Sequence, residues 1–295
     1  MLITASILLI SLALGELAIR YLRLADYVLY EASESIGYFP LPNSTGLMRR
    51  KYRWRFDANG IRSDRVEAIG KNSVVLIGDS IVEGGAMVDQ DDTVGCHLER
   101  EIRRPTYSVG GGGWSLCNEL AYINENTSLL NSDVLIFILN SEDFSSLNIW
   151  KTIYTHPLAP PRSHLLYMVG RVAWAVRYKL ASLLARLQTY SSEDVTTEES
   201  WMPPLLDFLE KYGRKPLFVL VPNRLEAAMG LKPCLALESL DPDLFNVCEL
   251  NAEVGWLDDC YHDLLHPNAR GRRVLAFAIA SMVSDLIQPQ PPVGE

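Results

Sequence analysis

Several things are scarce in this 295-residue chain, and each shortage removes a class of function. Cysteine is sparse and unpaired in pattern: residues 96, 117, 234, 248 and 260 are odd in number, and no two form a C-x-x-C unit. That disfavours a structural zinc site or a disulfide scaffold, although a single bridge such as Cys234 to Cys248 stays open. Basic charge is short as well, with Lys+Arg 27 against Asp+Glu 36 and a net charge of -9. That argues against a broad phosphate-neutralising face, and against nucleic acid as a partner. The composition is not that of a disordered chain, since 48% of residues are hydrophobic and 21% charged. A chain of this size can bury one large core.

Charge is also missing from one particular place. Residues 2–15 (LITASILLISLALG) carry none, and the apolar run continues through Leu17, Ala18 and Ile19 with only Glu16 interrupting. This approaches the ~20 residues of a spanning helix. A retained membrane anchor over 1–30 is the favoured reading, ahead of a cleaved signal peptide or a buried core helix, because no Lys or Arg precedes the run. Arg20 and Arg23 follow it and by the positive-inside rule pull the body toward the cytoplasm.

Residues 31–72 show no sustained period and read as an extension packed on the main domain. From Ser73 the pattern changes to short β-rich runs alternating with helical stretches, the signature of a parallel sheet covered on both faces. Strands are expected at 73–77, 106–109, 133–139, 216–221 and 253–257, and helices near 91–103, 115–130, 203–213 and 267–287. The fold class is α/β, a flavodoxin-like three-layer sandwich over 73–287 with a five-stranded parallel sheet. Ligands in such sheets sit beyond the carboxyl ends of the strands. An insertion at 150–200 interrupts the alternation. It contains a long helix over 164–187, read as packing on the sheet, lying on a membrane surface or walling a substrate pocket, and then the acidic SSEDVTTEES. Residues 288–295 form a polar tail.

The first strand ends in VVLIGDSIVEGG, which puts Ser80 on the turn from strand to helix, where free N–H groups favour negative charge. A nucleophile is useful there. Near the other end, YHDLLHPNARG sets Asp263 three residues before His266, after the last strand and ahead of the last helix. Asp263 can orient one imidazole nitrogen while the other takes the Ser80 proton. His97 reads as a surface or packing residue, and His156 as one that heads the insertion, a place at the border of the pocket being the lesser reading.

Gly78-Asp79-Ser80 with Gly84, and Asp263-Leu264-Leu265-His266-Pro267-Asn268, resemble the first and last blocks of the SGNH/GDSL hydrolases. The resemblance implies ester hydrolysis or acyl transfer through an acyl-serine, catalysed by Ser80, Asp263 and His266 without metal or cofactor. It also implies an oxyanion hole made by the Ser80 N–H, a glycine after the second strand and an Asn after the third. Ser108-x-Gly110-x-x-Gly113 makes Gly113 the matching glycine, with Ser108 where the family has Asn. The third block departs further: aligning on Asp143 places Glu142 at the Asn position, and an ionised carboxylate cannot donate. Either Asn140 serves from two positions earlier, which is the favoured reading, or the hole depends on the Ser80 and Gly113 N–H groups alone. The N-terminal anchor with FDANGIRSD resembles anchored bacterial members linked to extracellular polysaccharide acylation. That implies a single-pass protein with a periplasmic or extracellular catalytic domain, acting on an acylated small molecule or glycan. A lipid esterase and a non-catalytic glycan-binding subunit are the alternatives, the latter motivated by Glu142.

Overall fold

The computed structural model describes residues 2–65, 67–188 and 200–287. In chain order it contains α1 (Leu2–Leu22), β1 (Tyr30–Ser33), β2 (Gly37–Pro40), β3 (Thr45–Met48), β4 (Tyr52–Arg55), β5 (Val74–Gly78), α2 (Ser80–Glu83) and α3 (Val94–Ile102). There follow β6 (Thr106–Gly110), α4 (Leu116–Glu125), β7 (Val134–Leu139), α5 (His164–Gln188), α6 (Met202–Tyr212), β8 (Leu217–Leu220), α7 (Arg224–Met229), β9 (Asn246–Glu249) and α8 (Ala269–Ile287). The polar tail and most of the acidic loop lie outside the described residues.

Five strands form one parallel sheet in the order β6-β5-β7-β8-β9. Its central strands read as unbroken apolar runs because both faces are buried. Val75, Ile77, Leu135, Phe137 and Phe218 pack on one side with Leu116 and Leu120 of α4 and Leu205 and Phe208 of α6. Val74, Leu76, Ile136, Ile138 and Val219 pack on the other with Leu98 of α3 and Leu275 and Ile279 of α8. The three-layer α/β sandwich is thus present.

The fifth strand is not where the sequence pattern puts it. Residues 252–255 form a turn fixed by Asn251, whose Oδ1 accepts from Glu253 N, and the strand is β9 at 246–249. As an edge strand it alternates buried and exposed positions, with Cys248 inside and Val247 and Glu249 outside, so its sequence lacks an apolar run. All five cysteines are free.

The extension folds as two antiparallel hairpins, β1-β2 and β3-β4. Trp54, Phe56 and Ile61 from it enter the core, and Arg62 N–H bonds Ser108 O at the free edge of β6. Arg62 is itself buried, and its guanidinium donates to the carbonyls of Glu83, Gly85 (2.8 Å) and Val88 (2.6 Å). It thereby clamps the loop that follows α2. Helix α1 has no buried residue, only Gly15, Glu16 and Ile19 being half-buried, and is long and apolar enough to cross a membrane, as a signal sequence also is. It ends at Leu22, eight residues before the expected boundary, and Ala25, Val28 and Tyr30 are already buried in the body. Its Glu16 accepts from the first N–H groups of α5, those of His164 (3.0 Å) and Leu165 (2.8 Å).

Candidate active site

Ser80 opens α2 directly after β5. Asp79 caps this short helix, its Oδ1 accepting from Ile81 N (2.8 Å), and Gly84 ends it at φ +77, a conformation that favours glycine. Ser80 Oγ lies 2.8 Å from His266 Nε2. His266 Nδ1 in turn lies 2.9 Å from Asp263 Oδ2 and 3.1 Å from Oδ1. A carboxylate accepts, so Nδ1 carries the proton and Nε2 is the acceptor for the serine hydroxyl.

The short loop bearing both residues is held by its own sequence. Asp263 Oδ1 accepts from Leu265 N (2.9 Å) and His266 N (2.8 Å), while Asn268 donates to Asp259 O and Tyr261 O and its Oδ1 accepts from Arg270 N and Gly271 N at the start of α8. Partial burial pushes the Asp263 carboxyl up, but the two backbone N–H groups and the imidazole outweigh it and leave it below the usual carboxylate range. It stays ionised opposite His266.

After β7, Asp143 Oδ2 accepts from both the backbone N–H (2.7 Å) and Nδ2 (2.9 Å) of Asn140. Glu142 N donates to Asn140 Oδ1 (2.9 Å), which fixes the amide's orientation. Asp79 Oδ2 is 3.4 Å from Asn140 Nδ2 and 3.3 Å from Ser80 Oγ, farther than the 2.8 Å to the His266 Nε2 that takes the hydroxyl proton. The Glu142 side chain is exposed, whereas Asn140 and Asp143 are buried. Burial raises the carboxyls of Asp79, Asp143 and Glu119. Glu119 has no hydrogen-bond partner among the described residues.

After β6, residues 111–114 form a turn closed by Trp114 N to Gly111 O (3.0 Å). Only Gly113 in it has positive φ, +76, the signature of a type II turn. The Gly112 carbonyl accepts from Tyr38 Oη (2.9 Å) and lies 2.7 Å from His156 Nε2. The parallel register of Gly78 with Gly110 sets this turn and Ser80 over the same sheet edge. Beyond β8 and β9 a cleft includes Arg224, Leu231, Trp256 and Leu257 in its lining. It adjoins the His266 loop, because Arg224 N bonds Leu264 O (2.8 Å).

The structure therefore brings together Ser80, His266 and Asp263, and sets Asn140 and the Gly113 turn at the same edge. His97 is elsewhere, 2.8 Å from Asp92. Asp79, Asp143, Tyr38 and Arg62 have no assigned role in the sequence reading. The Asn140-x-x-Asp143 spacing after an apolar strand was a usable signal for one of them.

No family model matches the chain, and no curated protein matches it. Among solved structures it is similar to a member of the lipolytic protein G-D-S-L family from Veillonella parvula, at 14% identity over 72% of this chain and 98% of that one, TM-score 0.40. A lipase/acylhydrolase from Enterococcus faecalis is 14% identical over 75% and 99%, TM-score 0.45. A carbohydrate esterase family 3 structure from Talaromyces cellulolyticus is 12% identical over 74% and 99%, TM-score 0.38. In its α/β architecture and its two end blocks, the chain is similar to the GDSL/SGNH hydrolases.

Proposed function

We propose that the chain is a serine esterase or O-acyltransferase of SGNH type that acts on small acyl esters, an acylated glycan being the leading substrate. The observation that carries this reading is the continuous line from Ser80 Oγ through both nitrogens of His266 to Asp263. Ser80 Oγ attacks the ester carbonyl carbon as its proton passes to His266 Nε2, and Asp263 stabilises the imidazolium that forms. The backbone N–H groups of Ser80 and Gly113 and the second N–H of Asn140 receive the developing oxyanion. As the tetrahedral intermediate collapses, the C–O bond to the alcohol breaks and Nε2–H protonates the leaving oxygen. Water, or a sugar hydroxyl in transfer, then gives its proton to Nε2 and attacks the acyl carbon, and Ser80 leaves with that proton returned.

The exposed position of Glu142 favours the catalytic reading over a non-catalytic glycan-binding or assembly subunit. A lipid ester is the second reading, favoured by the exposed Leu166, Val169, Val172 and Val176 of α5 beside α1. In both readings α1 anchors the protein and the catalytic domain faces the periplasm or exterior. Labelling with a fluorophosphonate tests the shared chemistry: wild type should be modified at Ser80, and Ser80→Ala should be neither labelled nor active. Labelling elsewhere, or activity in Ser80→Ala, would overturn it. Acyl release from acetylated glycan, compared with short and long p-nitrophenyl esters, separates the two substrates.

A further inference from the structure

We infer that Tyr38 and His156 are positioning residues for the oxyanion hole, which set the Gly113 N–H by holding the carbonyl of the same peptide unit. This rests on the esterase reading and deepens it. The unit joining Gly112 to Gly113 is planar and trans, so its C=O and N–H point in opposite directions. It is also the central peptide of the turn at 111–114, the part of a β-turn that flips most readily between types I and II. Its carbonyl direction therefore decides where the N–H points.

That carbonyl is held twice. Tyr38 Oη donates at 2.9 Å, and His156 Nε2 stands at 2.7 Å. A carbonyl only accepts, so Nε2 bears a proton, while Nδ1 lies 3.0 Å from Thr155 Oγ1, a hydroxyl that also reaches Thr152 O at 3.2 Å. The two rings brace each other, with centroids 4.2 Å apart, and the edge of Tyr30 closes on His156 at 4.7 Å. On the opposite side of the same peptide, the Gly113 N–H has no acceptor among the described residues. Two hydrogen bonds to the carbonyl also polarise the peptide, which makes that N–H a stronger donor. The neighbouring residue, Gly112, packs against Glu83, whose Oε2 lies 3.1 Å from where a Cβ on Gly112 would stand.

The two holders come from outside the core αβ alternation. Tyr38 lies on β2 of the extension, and His156 in the loop ahead of α5. Glycine suits both sides of the arrangement: at 113 φ +76 favours it, with Tyr38 Oη 3.3 Å from where a Cβ would stand, and at 112 a Cβ would be tight against Glu83 Oε2 and Tyr30 Oη, each at 3.1 Å. The extension thus contributes to the chemistry through Tyr38 and is not merely packed on the domain.

The test compares Tyr38→Phe, His156→Leu, the double variant and His156→Gln, whose amide can donate from nearly the place of Nε2. Three readouts are taken: kcat and KM on p-nitrophenyl acetate, the Kd of a small alkylboronic acid that forms a tetrahedral adduct on Ser80, and the thermal midpoint. Each single loss should lower kcat about 3- to 10-fold, and the double variant about 10²-fold, approaching the loss of one oxyanion donor, with KM within about twofold. Boronate Kd should rise in parallel, and His156→Gln should recover most of the His156→Leu deficit. Should the double variant fail to fold, Tyr38→Phe carries the test, since it removes one oxygen and leaves no cavity. Unchanged kcat in a folded variant lacking Tyr38 Oη, a rise in KM alone, or His156→Gln as impaired as His156→Leu would overturn the inference. If wild type binds boronate through Ser80 while these variants behave as wild type, only this inference fails. If wild type does not bind it at all, the esterase reading falls and takes the inference with it.

Discussion

Asp143 Oδ2 takes both donors of Asn140 that face it, the backbone N–H at 2.7 Å and Nδ2 at 2.9 Å. One hydrogen of the amide is thereby committed, and the other points toward Asp79 Oδ2 at the longer distance of 3.4 Å. That second hydrogen is the one available to a developing oxyanion beside Ser80. Asn140→Ala should lower kcat by roughly 10²- to 10³-fold with little change in KM. Glu142→Ala should stay within about twofold of wild type, since the side chain is exposed and only its backbone N–H is used. Steady-state kinetics of both variants check this, and a severe Glu142→Ala with a silent Asn140→Ala would reverse the assignment.

Asp263 fixes the tautomer of His266 and also, through Oδ1, the backbone of its own loop. Asp263→Asn can still accept from those N–H groups, but its amide can donate to Nδ1 and so favour the wrong tautomer. The rate should fall on the order of 10⁴-fold, as replacing a triad Asp by Asn does elsewhere, with the thermal midpoint nearly unchanged. A loss under tenfold would mean that His266 is oriented without it.

The central sheet was legible because β5, β7 and β8 are buried on both faces and leave no alternation in the sequence. Ser80, Asp263 and His266 were legible because their residue types and flanking spacings are themselves a pattern. The edge strand β9 was not, because Val247 and Glu249 face outward and Asn246 is half exposed. The hairpins at 30–55 were hidden by strands only four residues long, too short to establish a period. Tyr38 and Arg62 were invisible for another reason: they bond backbone carbonyls 74 and 21 or more residues away, and a carbonyl leaves no trace in residue identity.

Arg62 is buried among the carbonyls of Glu83, Gly85 and Val88, with Gln90 Oε1 at 3.3 Å. Lysine keeps the charge but cannot present a planar fork to three separated acceptors. Arg62→Lys should therefore cost about 2 to 4 kcal/mol, from buried carbonyls left without donors, and should loosen the loop after α2. Denaturant unfolding and hydrogen exchange over residues 83–90 measure both, and a cost below ~0.5 kcal/mol would show the clamp to be dispensable.

Glu83 gives the stability a pH dependence whose sign is fixed. Burial pushes its carboxyl up to about 7, against the pull of the Tyr30 hydroxyl (2.8 Å), the Arg62 charge and the Gly112 N–H, and with a further push from Asp79. Between about pH 4.5 and 7 the folded chain keeps a proton that the unfolded chain releases, so this group's contribution to stability falls as pH rises. By the linkage relation the loss reaches roughly 3 kcal/mol above pH 7. Glu83→Gln should remove it, so the variant's thermal midpoint should gain on wild type steadily from pH 4.5 to 7.5. A difference that does not vary with pH would contradict this.

The last prediction separates α1 from the body it leads into. Deleting residues 1–22 removes a helix with no buried side chain, together with the Glu16 cap on α5 and the Arg20 bond to Arg162 O (2.6 Å). A lost cap costs about 1 kcal/mol and acts locally, so the start of α5 should exchange amide hydrogens faster while Ser80 keeps its activity. Deleting residues 1–30 goes further and takes Ala25, Val28 and Tyr30 from the core and the Tyr30 bond from Glu83. Burying a valine alone is worth about 1.5 to 3 kcal/mol, and losing it with a buried tyrosine should unfold the protein or drive it into aggregates. Sedimentation and p-nitrophenyl acetate turnover on the two deletions decide the matter. The shorter deletion should be soluble without detergent and active, the longer one neither; equal behaviour would mean that residues 23–30 belong with the anchor.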